Sequence, residues 1–148
     1  MWLIEMVRSI TPRGVGRPDN EREVHRVSLQ SFQAQQELWS YSNTYNVPAF
    51  SYRAIILTGF DLPSEDWKFY LTDVLVTVNK NLRFLVDVAQ NDMYIGSKWG
   101  TQKVHIKFPT GFPFLTTDEL KIFIVNYDTS VDMDASLYVG GFRELTGE

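Results

Sequence analysis

An all-β fold, an antiparallel sandwich or barrel, is what this sequence predicts, on three observations. From residue 50 onward several runs alternate apolar and polar residues with a period of two. Clusters of Gly, Pro, Asn and Asp separate those runs at short intervals. Aromatic residues make up 14% of the chain, and large rings suit the pleated, half-buried surface of a strand. Seven strands are predicted after residue 50, with no helix between them.

The front of the chain reads differently. Residues 1–23 are expected to form an arm, and residues 24–148 the domain. MWLIEMVRSI opens apolar, but no basic leader or small-residue cleavage site frames it, so it does not read as a signal peptide. TPRGVGRPDNERE (11–23) offers nothing to bury and reads as a linker or extended arm. SLQSFQAQQELW contains fair helix formers, yet Val27, Leu29 and Phe32 fit neither period, so helix and strand both stay open over 24–46. YSNTYNVP, with turn formers between its aromatics, reads as a loop.

From there the strands follow in order. RAIILTG is a short apolar run rich in β-branched residues, and FDLPSEDW is a turn fixed by Pro63. WKFYLTDVLVTV is a strand whose expected apolar face is Tyr70, Val74, Val76 and Val78. Asn79-Lys80-Asn81 is expected to be a tight turn joining it to LRFLVDVA, with which it would pair. In LRFLVDVA, Leu82, Phe84, Val86 and Val88 point one way, and Arg83, Leu85 and Asp87 the other. QND turns the chain into a short MYIG strand. KVHIKF puts Val104, Ile106 and Phe108 inside, and a helix would set Val104 and Ile106 about 200° apart. PTGFPFLTTDEL reads as a long connection. LKIFIVNY is apolar on both faces, as in a buried central strand or one at a subunit interface. DTSVDMD turns the chain into the last strand, ASLYVGGFRE, with Ala135, Leu137 and Val139 on the core side.

Charge and composition narrow the function. The net charge of −4 argues against a general nucleic-acid binder, which needs a basic face to displace counterions. The charge is uneven. Arg8, Arg13, Arg17, Arg22 and Arg26 outweigh Glu5, Asp19, Glu21 and Glu23 by one in residues 1–26, which leaves −5 on the rest. Such a front could dock on a neighbouring subunit, or it could be a solvated tail. Without cysteine there are no disulfides, thiolate metal sites or cysteine nucleophiles. No apolar run approaches the roughly 20 residues of a membrane-spanning helix.

No catalytic constellation emerges. His25 lies near the arm and His105 on the polar face of KVHIKF, and neither has a partner at a familiar spacing. Two histidines so far apart in sequence do not make the histidine cluster that holds a cupin metal. Asp61, Glu65 and Asp66 cluster, as do Asp128, Asp132 and Asp134. The second group matches a calcium loop only loosely, without the central Gly and distal Glu of an EF-hand, and turn formation by Asp explains it as well. No pair of carboxylates stands out for glycoside hydrolysis, and no nucleophile elbow or H-E-x-x-H motif occurs. Neither a metal nor any other cofactor is expected. Trp67, Tyr94 and Trp99 are candidates for stacking on a sugar face, with core packing as the alternative for Trp67 and Trp99. Gly140-Gly141 cannot be a phosphate cradle, because no helix has room to follow it. The pair predicts a strand bend or a close approach of another backbone.

Residues 50–144 as a whole resemble the small jelly-roll domains of bacteriophage and archaeal-virus structural proteins. The resemblance rests on the strand entering through FDLPSEDWKFYLTDVLVTVN, on NLRFLVDV, on KVHIKFPTGFPFLTTDELKIFIVNYD, and on the glycine-bearing terminal ASLYVGGFRE. It covers about two-thirds of the chain and carries over no catalytic residue. It implies a jelly-roll sandwich with an arm, in a non-enzymatic virion protein of coat, decoration, turret or tail-tip type. Such a protein would be a trimer or an array, bound to other virion proteins and in some cases to a host-surface glycan.

Overall fold

The computed structural model describes residues 36–145, and they form eight strands with no helix. The strands are β1 (Gln36–Val47), β2 (Ser51–Thr58), β3 (Trp67–Val78), β4 (Phe84–Gln90), β5 (Met93–Gly100), β6 (Lys103–Phe114), β7 (Glu119–Asn126) and β8 (Met133–Leu145). They make two four-stranded antiparallel sheets, ordered β1-β8-β3-β6 and β2-β7-β4-β5. The neighbours nest, with β1 beside β8, β2 beside β7, β3 beside β6 and β4 beside β5. One long antiparallel hairpin rolled into two layers gives this order, which is the jelly roll. The expected sandwich is therefore present. The expected arm over residues 1–23, its boundary with the domain and His25 all lie outside the described residues.

The seven strands expected after residue 50 are all found, but three details differ. YSNTYNVP is not a loop: Tyr41–Val47 belongs to β1. As an edge strand with one face in water, β1 carries short polar residues outward and Trp39, Tyr41 and Tyr45 against the core, so its composition resembles a loop's. The segment PTGFPF is not a connection, because β6 runs on to Phe114. Prolines fit there because β6 is also an edge strand, and Gly111 takes the left-handed φ of 83° at the irregular point. Finally, Asn79-Lys80-Asn81 does not join a hairpin. It carries the chain between sheets, so β3 and β4 are not paired.

The core lies between the sheets; β4 and β8 line it as expected, and β7 lines it with alternate residues. Phe84, Val86, Val88, Leu120, Ile122, Ile124, Ala135, Leu137 and Val139 are all buried. LKIFIVNY is the central strand its composition suggested, flanked by β2 and β4. The face expected for β3 is correct only in its second half. Val74 and Val76 are buried, but so are Phe69 and Leu71, while Tyr70 turns outward and stacks on Phe142 at 5.0 Å. The register of β3 shifts between Leu71 and Asp73 against both β6 and β8. Against β8 Thr72 is the extra residue, whereas on the other side the surplus lies in β6, where Phe112 and Lys107 face Leu71 and Asp73. Passing Thr72 reverses which residues of β3 face inward.

One end of the core is aromatic. Phe60, read from sequence as part of a turn, is only 2% exposed. It stacks parallel on Phe69 at 4.4 Å, with Trp39 edge-on to both rings and Phe114 beside them. At the other end, Asn126 is the buried polar residue. Its amide donates to the Val47 and Val131 carbonyls, and its oxygen accepts from the Asp128 amide. Those bonds tie the end of β1 to the β7–β8 connection and satisfy the burial of a polar group.

Gly140 and Gly141 sit opposite the offset in β3, paired with Asp73 and Leu71. A side-chain carbon on Gly141 would lie 2.2 Å from the Tyr70 carbonyl oxygen and 2.6 Å from the Phe69 ring. The pair therefore serves sheet geometry, as the sequence predicts. At Gly140 the obstacle is only the outer end of the Tyr138 side chain, at 2.7 Å. The two glycines should respond differently to substitution. Gly141→Ala should lose about 3 kcal/mol, the upper end of core overpacking, while Gly140→Ala should lose under about 1 kcal/mol because Tyr138 can swing away. Urea unfolding followed by tryptophan fluorescence measures both, and equal losses would refute the distinction.

Candidate functional site

Two outer faces of different chemistry flank the core. The outer face of the β2-β7-β4-β5 sheet is built by the residues that alternate with its buried ones. It presents Tyr52 and Ile56 from β2, Phe123 and Val125 from β7, Leu85 and Asp87 from β4, and Tyr94, Ser97 and Trp99 from β5. Exposure reaches 60% at Tyr52, 53% at Ile56 and 65% at Tyr94. Phe123 lies between Tyr52 and Tyr94, at 6.3 and 6.4 Å. Trp99 packs against Tyr127 at 4.8 Å, and the Arg83 guanidinium sits over its ring at 4.2 Å.

Of the three rings expected to stack on sugars, Tyr94 and Trp99 share this face. Their partners on β4, Ala89 and Leu85, are four residues apart, a separation of about 13 Å along the strand. Between them Ser97 donates a 2.5 Å hydrogen bond to Asp87. Trp67 is not with them. It begins β3 in the other sheet, opposite Leu145, and is half-buried. The arginines Arg8, Arg13, Arg17, Arg22 and Arg26 lie outside the described residues.

The outer face of the β1-β8-β3-β6 sheet is more polar, although Leu38, Leu75 and the Tyr70–Phe142 stack also lie on it. Thr44, Ser136, Thr77 and Lys103 make one row across it, and Tyr138, Leu75 and His105 define the next. Past these, Gly140, Asp73 and Lys107 align. His105, which looked unpartnered from sequence, has its Nε2 2.8 Å from Asp73 Oδ1. An ionised carboxylate can only accept, so the contact requires hydrogen on Nε2. The Thr72 hydroxyl is 2.9 Å from Asp73 Oδ2 and 3.1 Å from the Gly140 carbonyl. Burial alone would push the Asp73 carboxyl up. The hydrogen bonds from His105 and Thr72, with the charges of His105 and Lys107, outweigh it and hold the group below the usual aspartate range.

The Thr72 hydroxyl bonds to the Asp73 carboxylate and the imidazole bonds to the other carboxylate oxygen, so Thr72 and His105 meet only through Asp73. The cluster of Asp128, Asp132 and Asp134 does structural work. Asp128 accepts from the Ser130 and Val131 amides, which lower its pKa. Asp132 accepts from the Ala49 amide, and Asp134 from Asn46 and Asn79. Asp61, Glu65 and Asp66 are exposed in the β2–β3 connection. Among the described residues, no group of three His, Cys, Asp or Glu side chains is placed to hold a metal ion.

On β1, Tyr41 and Tyr45 share a 2.5 Å hydrogen bond between hydroxyls. Burial, followed by that bond, pushes the Tyr45 phenol up to about 12. Arg53 of β2 lies over the Tyr45 ring at 5.4 Å.

Sequence reasoning missed the Asp73–His105 pair, Phe123 and Tyr138. Tyr138 was within reach, since alternation from Leu137 and Val139 already points it outward. No protein-family model, curated protein or solved structure matches the chain.

The Asp73–His105 pair predicts a pH dependence. A carboxyl whose pKa is depressed on folding contributes stability above its unfolded value, about 3.9, and loses it as pH falls through the folded value. Asp73 is 36% exposed, so solvent screening limits the pair to about 1 kcal/mol. Thermal unfolding should show Tm falling below about pH 4, with a shallower fall in Asp73→Asn. Identical acid limbs in the two proteins would show that the pair contributes nothing.

Proposed function

We propose that the chain is a non-enzymatic structural protein of a virion, which assembles through subunit contacts on a capsid or tail. One observation carries this reading, the apolar outer face of the β2-β7-β4-β5 sheet. A sandwich sheet facing water normally alternates apolar inside with polar outside. Here Tyr52, Ile56, Phe123, Val125, Tyr94 and Trp99 stand on the outside of adjacent strands, and contiguous apolar surface of this kind marks a contact site. The rolled eight-strand topology and the sequence resemblance to viral jelly-roll domains support the virion setting.

Carbohydrate binding through Trp67, Tyr94 and Trp99 is the alternative. We assign Tyr94 and Trp99 to the subunit contact instead. Arg83 already covers one face of Trp99, and Trp67 lies in the other sheet. On this reading residues 1–26, with Arg8, Arg13, Arg17, Arg22 and Arg26 and a net charge of +1, add to the contact by docking on the more acidic domain of a neighbour.

Light scattering on the full chain tests the proposal. The expected mass is a multiple of one chain's, falling towards a single chain in a Tyr94→Lys/Phe123→Lys double variant. A strict monomer at high concentration, unchanged by deleting residues 1–23, would count decisively against assembly.

A further inference from the structure

The more polar outer face carries a feature that the assembly reading does not use. Gly140 has no side chain, and the Tyr138 ring occupies the space above it. Its Oη, Cε2 and Cζ lie 2.7 to 3.0 Å from where a Gly140 Cβ would be. The ring is thus folded along its own strand and supported from beneath by backbone, as an aromatic covering a neighbouring glycine does. Its other side faces solvent, and the residue is 41% exposed.

Tyr138 lines two depressions, of about 310 and 340 Å³. The first is lined by Ser42, Asn43, Thr44 and Ser136 together with the apolar Leu75 and Leu137. The second reaches Ser40, Thr72 and Asp73. Asp73 pairs with Gly140 across the strands, so its carboxylate stands beside the ring. One oxygen is held by His105 and the other by Thr72, which fixes the group and leaves further lone pairs open to solvent.

We propose that Tyr138, Asp73 and His105 form a binding site for a neutral saccharide. The Tyr138 ring meets the apolar face of a pyranose, and Asp73 accepts hydrogen bonds from two adjacent sugar hydroxyls. His105 is a positioning residue that orients the carboxylate. Adjacent strands are about 4.8 Å apart, so ring and carboxylate span about the width of one sugar ring. The flanking hydroxyls can donate or accept, which suits a ligand whose groups do both. The anionic Asp73 disfavours sugars that carry carboxylate or sulfate. A flat ring alone would accept any apolar partner, and the fixed acceptor beside it is what specifies a polyol.

Saturation-transfer NMR with the methyl glycosides of glucose, galactose, mannose and N-acetylglucosamine tests the site on the 148-residue chain. At least one glycoside should bind with a millimolar Kd. Tyr138→Ala should weaken it at least about tenfold, a difference of about 1.4 kcal/mol, and Tyr138→Phe should keep it. Gly140→Ala should weaken it too, with the fold intact by circular dichroism, because the ring loses its seat. Asp73→Asn and His105→Phe should each weaken it, while Tyr94→Ser should leave it unchanged. Binding by none of the four glycosides would overturn the proposal. So would unchanged binding in Tyr138→Ala and Gly140→Ala, or loss of binding in Tyr94→Ser. None of these outcomes depends on the oligomeric state, so a failure here is separable from failure of the assembly reading.

Discussion

The one-residue offset at Thr72 is the constraint on which the rest of the domain depends. β3 lies inside its sheet, and its register shifts at the same place against β6 and β8. Before the offset, odd-numbered residues face the core, so Phe69 and Leu71 are buried. After it, even-numbered residues do, so Val74 and Val76 are buried. Without the extra residue, one half of the strand would turn its apolar side chains to water. The offset also brings the β3 backbone close to β8, and only a residue without a side chain fits there. Gly141 is therefore part of the offset itself. The aromatic packing of Phe69 with Phe60, Trp39 and Phe114 lies downstream of this geometry, as does the placing of Asp73 towards His105.

This explains how far the sequence could be read. Alternation within a strand is local, and it places Phe84, Val86 and Val88 in β4 and Leu137 and Val139 in β8 correctly. It fails across an irregularity, because no local pattern announces that Thr72 is the extra residue. Tyr70 went to the wrong side for that reason. Pairing is non-local, so β3 and β4, adjacent in sequence and strongly alternating, looked like a hairpin although they lie in different sheets. Edge position misled in another way. Among the described strands β1 and β6 are the edges of their sheet, so they tolerate polar runs and prolines that a central strand would reject. The Asp73–His105 pair joins residues 32 apart, and only the pairing of β3 with β6 makes them neighbours.

The two outer faces share one core yet differ in chemistry. On one, Tyr52, Phe123 and Tyr94 form a nearly continuous apolar band. On the other, hydroxyls and a fixed carboxylate surround Tyr138, and the Tyr70–Phe142 stack lies further along the same sheet. A sandwich allows this because residues alternate along each strand, so the outward set is free to vary while the inward set meets packing demands. Two separate recognition tasks can thus occupy opposite sides of one small domain without competing for the same residues.

The nested pairing has a mechanical consequence. Thr44 meets Ser136, and Glu37 pairs with Arg143, so the beginning of β1 and the end of β8 lie side by side. Tension applied between those two points does not shear the sheet. It peels β1 from β8 like a zipper, loading one hydrogen-bonded pair at a time, while the remaining strands bear little force. Under load the first sheet would therefore open from its β1 edge, with the Glu37–Arg143 ion pair as the first link to give way.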